Sequence, residues 1–344
     1  MVMSEAEARR IAEKVLSRAE GDSAAVSILS AEERNIRFAR NNATTNGART
    51  IVRVSVQVNI GARSGEFTTT RVDDAGLAEA VSQAAAIARL APENSEFMPP
   101  LGAQTYARPA GWHGPSARAD ARRFAVLLEP VVRAARASGV EAAGYLEGGP
   151  TASAFATSAG LFVYDRGTDF DFTVTARLAG GAGSGWAAAA GGELARIDAN
   201  RLGQIAIDKA IRHREPAPTA PRRNTVVLEP SPAADMLSLL TRSMDARSAD
   251  EGRSAFSRRG GGNRIGERLL AENVTPRADP GHALAPSSIY GEDGLPLAPV
   301  TWFENGVLRA LPASRFWAAR QGGPPIPRPS NFILEGGARS TQQL

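Results

Sequence analysis

Residues 51–71 read IVRVSVQVNIGARSGEFTTTR, and their first half decides the fold class. Val52, Val54, Val56, Val58 and Ile60 alternate with Arg53, Ser55, Gln57 and Asn59. A period of two suits an extended strand with one buried and one wet face, and a helix cannot use it. Residues 61–65 (GARSG) turn the chain back through 66–71, which predicts an antiparallel hairpin. Upstream, residues 24–29 and 35–39 read as further strands. Residues 4–19 read as an opening helix, with Ser4 and Glu7 spaced as a capping box and Ile11, Val15 and Leu16 on one face. Downstream, Asp73 or Asp74 caps a second helix carrying Leu77, Val81, Ala84, Ala85 and Ala88, which ends before Pro92. Helix, strands, helix in that order predict an α+β, sandwich-like unit built on an antiparallel sheet.

A Pro/Gly-rich connection over 99–115 carries Trp112 and His113. Residues 116–138 resume a helical pattern in which Pro130 is expected to kink the helix or restart it. Strand-like runs follow at 142–146, 153–158 and 161–175. In the last run Phe170, Phe172 and Val174 alternate with Asp169, Asp171 and Thr173, so Asp169 and Asp171 share a face. Paired carboxylates can act as acid and base when one is buried beside the other, although alternation by itself assigns them to the wet side. Residues 180–185 (GGAGSG) have neither phosphate-loop spacing and read as a connection before Trp186. Asp198 caps a helix running to His213, with Leu202, Ile205, Ala206 and Ala210 inward and Arg212, His213 and Arg214 at the end where cations suit the helix dipole. The Pro-rich residues 216–221 separate an N-terminal domain, 1–215 with a sub-boundary near 93–115, from a C-terminal domain, 222–344.

The second domain opens on residues 228–256, LEPSPAADMLSLLTRSMDARSADEGRSAF. A strand at 224–228 runs into Glu229-Pro230-Ser231-Pro232 and then a helix with Met236, Leu237, Leu240 and Met244 on one side. No imidazole or thiolate lies along it. Farther on come a glycine run at 260–262, Asp279-Pro280, a loop with Glu292 and Asp293, and two short strands joined by Asn305-Gly306, a strong type I′ hairpin signal. Short strands and turns predict a β-rich, barrel-like domain, and the chain reaches Leu344 without an evident closing element.

Composition removes several chemistries. Cysteine is absent from the 344 residues, which excludes disulfides, zinc ribbons, iron–sulfur clusters and thiol nucleophiles. No N-terminal apolar core and no window of about 18 apolar residues is present, so the chain is expected to be cytoplasmic and away from membranes. The net charge of +4 is small. Lys14 and Lys209 are the only lysines, and the doublets Arg122-Arg123, Arg222-Arg223 and Arg258-Arg259 lack interleaved aromatics, which argues against a nucleic-acid platform. His113, His213 and His282 share no metal-ligand spacing.

The order of several short motifs resembles the TldD/PmbA family, the modulator of DNA gyrase or TldD–TldE metalloprotease system. In the first half these are Arg37-Phe38-Ala39-Arg40-Asn41-Asn42, the 61–68 hairpin and Phe97-Met-Pro-Pro-Leu101. In the second half they are Val227-Leu-Glu-Pro230, Glu251-Gly-Arg-Ser-Ala-Phe256, Asp279-Pro280, Gly291-Glu-Asp-Gly-Leu-Pro296, Glu304-Asn-Gly-Val-Leu308 and Pro329-Ser-Asn-Phe332. In the family's catalytic subunit the helix after Leu-Glu-Pro carries His-Glu-x-x-x-His, whose imidazoles bind zinc and whose glutamate moves protons for an activated water. The position here falls on Leu237-Ser-Leu-Leu-Thr-Arg242, with Leu237, Ser238 and Arg242 at the motif's places. The third ligand of that subunit is a cysteine, which this chain lacks.

The resemblance therefore implies the PmbA (TldE) branch, a pseudoenzyme subunit with no catalytic or metal-ligating residue of its own. It would form a heterodimer with a TldD-like partner that holds the zinc, and the pair would act on peptides in proteolysis. Two alternatives are an independent metal-free hydrolase using Asp169 and Asp171 or Glu292 and Asp293, and a nucleic-acid-binding protein. Family members continue beyond the length seen here, so the resemblance also implies an incomplete C-terminal domain.

Overall fold

The computed structural model describes residues 2–181, 183–218, 220–328, 330–340 and 343. Parts of the glycine run (Ala182), of the Pro-rich boundary (Thr219), of the Pro-Ser-Asn-Phe element (Pro329) and the chain end (Leu344) lie outside the described residues.

The opening helix α1 (Glu5–Leu16) carries the expected capping box, with the Ser4 amide donating to the Glu7 carboxylate at 2.8 Å. Three strands follow: β1 (Ser23–Ala39), β2 (Asn42–Ile60) and β3 (Arg63–Thr69). The two segments read as separate strands at 24–29 and 35–39 are one continuous strand. Its hairpin turn uses Arg40 and Asn41 at positive φ (50° and 59°). Asn41 tolerates that conformation because its side-chain amide also bonds the neighbouring strand, donating to the Val140 carbonyl at 2.8 Å and accepting from the Ala142 amide at 2.7 Å. Helix α2 (Asp74–Leu90) then closes the unit, capped by Asp73.

After the one-turn helix α3 (Gly114–Ala117), the same order recurs: α4 (Ala121–Ala137), β4 (Val140–Thr157), β5 (Phe162–Leu178), β6 (Ser184–Gly191) and α5 (Ala199–Arg212). Pro130 sits inside an uninterrupted α4; the carbonyl it cannot reach belongs to exposed Val126, where water can satisfy it. The strands form a single six-stranded antiparallel sheet in the order β3-β2-β1-β4-β5-β6. Each half is an αβββα unit, and the halves meet along β1 and β4 about a pseudo-twofold axis. Thr50 stands opposite Glu32 and Pro150 opposite Thr168, while the β1–β4 ladder runs from Ala31–Thr151 to Arg34–Gly148. Thr50, Glu32, Pro150 and Thr168 therefore form one row across the sheet at the axis.

Helices α1, α2, α4 and α5 cover one face. Val26, Ile28, Val54, Val56 and Val58 pack under α1 and α2, whereas Ile36, Phe38, Leu146, Phe170 and Phe172 pack under α4 and α5. Phe38 stacks on Phe172 with ring centroids 6.5 Å apart. Residues 1–212 thus follow the α+β, sandwich-like expectation, with helices on one side of the sheet and the other side left for the rest of the chain.

That rest is irregular. Residues 224–228 form no strand and pair with none among the described residues, and Val226, Val227 and Leu228 are exposed. Helix α6 (Pro230–Ser243) and the short α7 (Ala246–Asp250) precede β7 (Arg277–Ala278), β8 (Val300–Thr301), β9 (Phe303–Glu304), β10 (Val307–Leu308) and α8 (Arg315–Gln321). The strands pair as β7–β8 and β9–β10, and no closed barrel forms among the described residues. Asn305 and Gly306 take the positive φ values the hairpin signal requires, 51° and 75°. Trp302, Phe303, Leu308, Met244 and Phe256 supply a separate core.

This C-terminal part docks on the helix-free face. Leu161, Val163 and Ile289 are buried together, with Leu101, Tyr106, Phe155 and Tyr290 packed around them. Polar contacts flank that seam: Tyr106 donates to the Gly294 carbonyl at 2.6 Å, Arg247 pairs with Glu96 at 2.7 Å, and Arg315 donates to the Pro99 carbonyl at 2.7 Å.

Candidate functional site

Where the C-terminal part meets the sheet, three adjoining cavities share Ser330 and Asn331. The largest, about 480 Å³, lies between β5–β6 and the 284–288 loop and is lined by Asp165, Arg166, Thr168 and Asp169. A second, about 200 Å³, is walled by Pro280, Pro296, Leu297, Trp302, Ile326 and Pro327. The third, about 240 Å³, is lined by Leu237, Ser238, Thr241 and Arg242 of α6 together with Arg328 and Phe332. One cleft thus runs from the sheet to α6, with polar ends and an apolar, proline-rich middle. Clefts of this size between packed layers are where extended ligands bind.

The α6 end is built from its sequence. Pro230 and Pro232 open the helix, and Glu229 reaches back to Lys209 of α5 at 2.6 Å, whose ammonium also donates to the Trp186 carbonyl at 2.9 Å. Arg328 closes the other end, donating to the Thr241 and Met244 carbonyls at 3.3 and 3.0 Å, where a cation suits the helix dipole. None of the α6 residues is buried, and Met236 and Leu239 are 61% and 65% exposed. The apolar stripe read from the sequence is therefore only half covered. The side chains that α6 presents to the cleft are an alkyl group, two hydroxyls and a guanidinium. None of these binds zinc, and no group of three His, Asp or Glu side chains positioned for a metal occurs among the described residues. The donor set does not fit the zinc of a metallopeptidase.

Acidic residues cluster at the sheet end. Asp169 and Asp171 share the helix-free face, as alternation requires, and Asp169 faces Gly149 while Asp171 faces Glu147. Burial and then the field of Asp171 push the Asp169 carboxyl upward; burial does the same to Asp171. Asp169 nevertheless keeps an exposed side chain at the cavity mouth, so solvent screens much of that push. The buried carboxylate of this face is Asp165, 9% exposed, which the sequence reading passed over. Burial raises its pKa against three opposing hydrogen bonds, from Ser288 and from the Ile289 and Arg166 amides. Its signal was available: it continues the same period of two, four residues before Asp169. Arg166 beside it points outward and stacks its guanidinium over Trp112, 4.6 Å from the ring.

Other residues singled out by sequence do not converge. Glu292 and Asp293 sit exposed on a 3-10 turn, with Asp293 3.8 Å from Arg315. His113 caps α3, His213 ends α5, and the His282 ring accepts from the Ala285 amide at 3.3 Å. The arginine doublets lie on α4, on the exposed 222–228 segment and in the 257–263 loop, on three separate elements. Both lysines are held in ion pairs, Lys14 with Asp74 at 2.7 Å and Lys209 as above. No helix among the described residues is long and apolar enough to cross a membrane.

The sequence model of the PmbA/TldA metallopeptidase central domain matches residues 117–214, and that of the C-terminal domain matches 221–344, together more than half of the chain. No curated protein matches. Among solved structures, a protein described as a modulator of a DNA gyrase from Thermotoga maritima superposes with a TM-score of 0.81 at 16% identity, covering 97% of this chain and 79% of its own. TldE from Thermococcus kodakarensis gives 0.80 at 15% identity, with 97% and 78% covered. A protein described as a modulator of DNA gyrase from Bacteroides thetaiotaomicron gives 0.70 at 13%, with the same coverage as TldE. At these identities the structural likeness is one of fold.

Proposed function

Because the chain belongs to the PmbA/TldD metallopeptidase family, we propose that it is a TldE-like, non-catalytic subunit. Its partner is a TldD-like chain that supplies the zinc, and the pair acts on peptides in the cytoplasm. In this reading residues 1–215 and 222–344 are the two domains, and the cleft between them helps to enclose the substrate. The observation that carries it is α6. Leu237, Ser238 and Arg242, the positions that the resemblance equates with the His-Glu-x-x-x-His of the catalytic helix, line the cleft. An alkyl chain, a hydroxyl and a permanent cation can neither ligate zinc nor take a proton from its water. What they offer a peptide is a hydroxyl and a guanidinium for carboxylate or carbonyl oxygens.

Co-expression with a TldD-like protein tests the reading. A stable complex is expected, in which peptide cleavage requires the partner and survives Arg242→Ala of this chain with a raised KM. A chain that cleaves unstructured peptides alone sinks it.

One observation favours a second reading, a metal-free hydrolase: Asp169 lines the largest cavity with its carboxyl pushed upward, beside Asp171. It requires cleavage in excess chelator that is lost in Asp171→Asn and Asp169→Asn.

A further inference from the structure

The pseudo-twofold axis relates two stretches of sheet edge that are treated differently. Strand β6 covers β5 only from Phe170 to Arg177, and β3 covers β2 only from Val54 to Ile60. Each long strand thus runs past its edge partner. On β5 the uncovered stretch is filled by the chain itself. Residues 102–111 touch both of its ends: Gly102 bridges to Gly160 in the β4–β5 turn, and the Thr168 amide donates to the Gly111 carbonyl at 3.0 Å. Thr50 of β2 occupies the place of Thr168, but residues 42–53 have no strand along their outer side among the described residues.

The direction of the free groups follows from the ladder. The Asn59 carbonyl accepts from the Asp22 amide on the β1 side, so odd-numbered residues of this part of β2 face β1. Alternation then aims the amides and carbonyls of Asn46, Ala48, Thr50 and Val52 outward. Beside this edge, on the helix-covered side, is a groove of about 320 Å³ in which Met3, Ile11, Val52 and Val72 are the apolar lining, accompanied by Glu7, Arg10, Lys14 and Thr50. On the opposite side of the edge is Arg53, which forms no ion pair among the described residues, whereas Arg10 lies in the field of Glu7.

We propose that residues 46–52 bind an extended peptide segment as an added strand, with an apolar side chain in the Met3–Ile11 groove and an acidic neighbour against Arg53. The chemistry is that of strand addition: main-chain hydrogen bonds supply affinity, and pockets for alternate side chains supply selection. A free edge of this length without proline or a covering element is otherwise unusual in a stable chain. The site lies on α1 and β2, away from the α6 cleft, and does not depend on the function proposed for that cleft.

The test uses the full chain and a fluorescently labelled, end-blocked hexapeptide, Thr-Glu-Val-Glu-Val-Thr, read by anisotropy. Thr50→Pro removes the outward amide without touching the β1 ladder and is expected to weaken binding about tenfold, as loss of one main-chain hydrogen bond does. An N-methyl group on the peptide's central residues weakens binding to the unaltered chain to a similar degree, which keeps the test valid should the proline variant fold poorly. The proposal is overturned by no anisotropy change up to about 1 mM chain, or by equal binding of parent and N-methylated peptides. It is equally overturned by self-association of the chain that Thr50→Pro abolishes, since the edge would then serve a second copy.

Discussion

Gly65 of β3 and Gly185 of β6 occupy corresponding places on the two edge strands: a Cβ on Gly65 would collide with the Ala84 carbonyl of α2, and one on Gly185 with the Ala206 carbonyl of α5. The helix backbone crosses each edge strand at a glycine because no other residue lets it lie so close. Gly65→Ala and Gly185→Ala are each expected to cost about 1–3 kcal/mol by overpacking. The sites are far apart with no shared partners, so the double variant should show the sum to within about 0.5 kcal/mol. Denaturant unfolding of the single and double variants measures this.

Asp165 ties the two parts of the molecule, its carboxylate accepting from the Ile289 amide at 3.3 Å. Its folded pKa is raised above the unfolded one, so its contribution to stability is fully present below the unfolded pKa and is lost as pH rises through the folded pKa. Asp165→Asn keeps an acceptor without the buried charge and should flatten this part of the pH profile, raising the melting temperature at neutral pH. Asp165→Ala leaves the Ile289 amide unsatisfied and should cost about 1–3 kcal/mol. Thermal melts between pH 4 and 8 separate the two variants.

The docking seam contains two phenols, Tyr106 and Tyr290, each pushed up to about 12 by burial. An acid whose pKa is raised on folding stabilises the fold less as pH climbs from the unfolded value of 10 to the folded value. Stability should therefore fall between about pH 10 and 12. Spectrophotometric titration should show tyrosinate appearing late. Tyr106→Phe, which gives up the 2.6 Å bond to Gly294, should lose about 1 kcal/mol at neutral pH.

Helix α6 has no fully buried residue and packs on the C-terminal core through half-buried Leu240, so its end contacts carry much of its hold. The Lys209–Glu229 pair is 34% exposed at Lys209 and 42% at Glu229, which limits its worth to about 1 kcal/mol or less. Lys209→Met should leave the global melting temperature nearly unchanged while speeding amide exchange across residues 230–243. Hydrogen exchange followed by peptide mapping reads both.

Much of the sheet layer was legible because its side chains obey one period. The Val52–Ile60 alternation, the Asp73 and Asp198 caps and the Asn305-Gly306 turn all appear where the residues placed them. The duplication was not legible: packing in the two halves asks only for apolar residues at matching places, and Val54–Val56 in one is met by Phe172–Val174 in the other. The β1–β2 turn was missed because Arg40 and Asn41 lack glycine, and the Asn41 side chain stabilises the turn from a strand 99 residues away. The strand expected at 224–228 has suitable residues and no partner. In the site, the absence of zinc ligands along α6 could be read directly, whereas the cleft could not, since residues 165–169, 237–242 and 330–331 converge only through docking.

The most direct test is metal analysis of the purified complex with a TldD-like partner. One zinc per heterodimer is expected, retained by the partner alone and absent from this chain alone after dialysis against zinc-containing buffer. Stoichiometric zinc bound to this chain by itself, or zinc in the complex that is lost on Arg242→Ala while the partner stays folded, would contradict it.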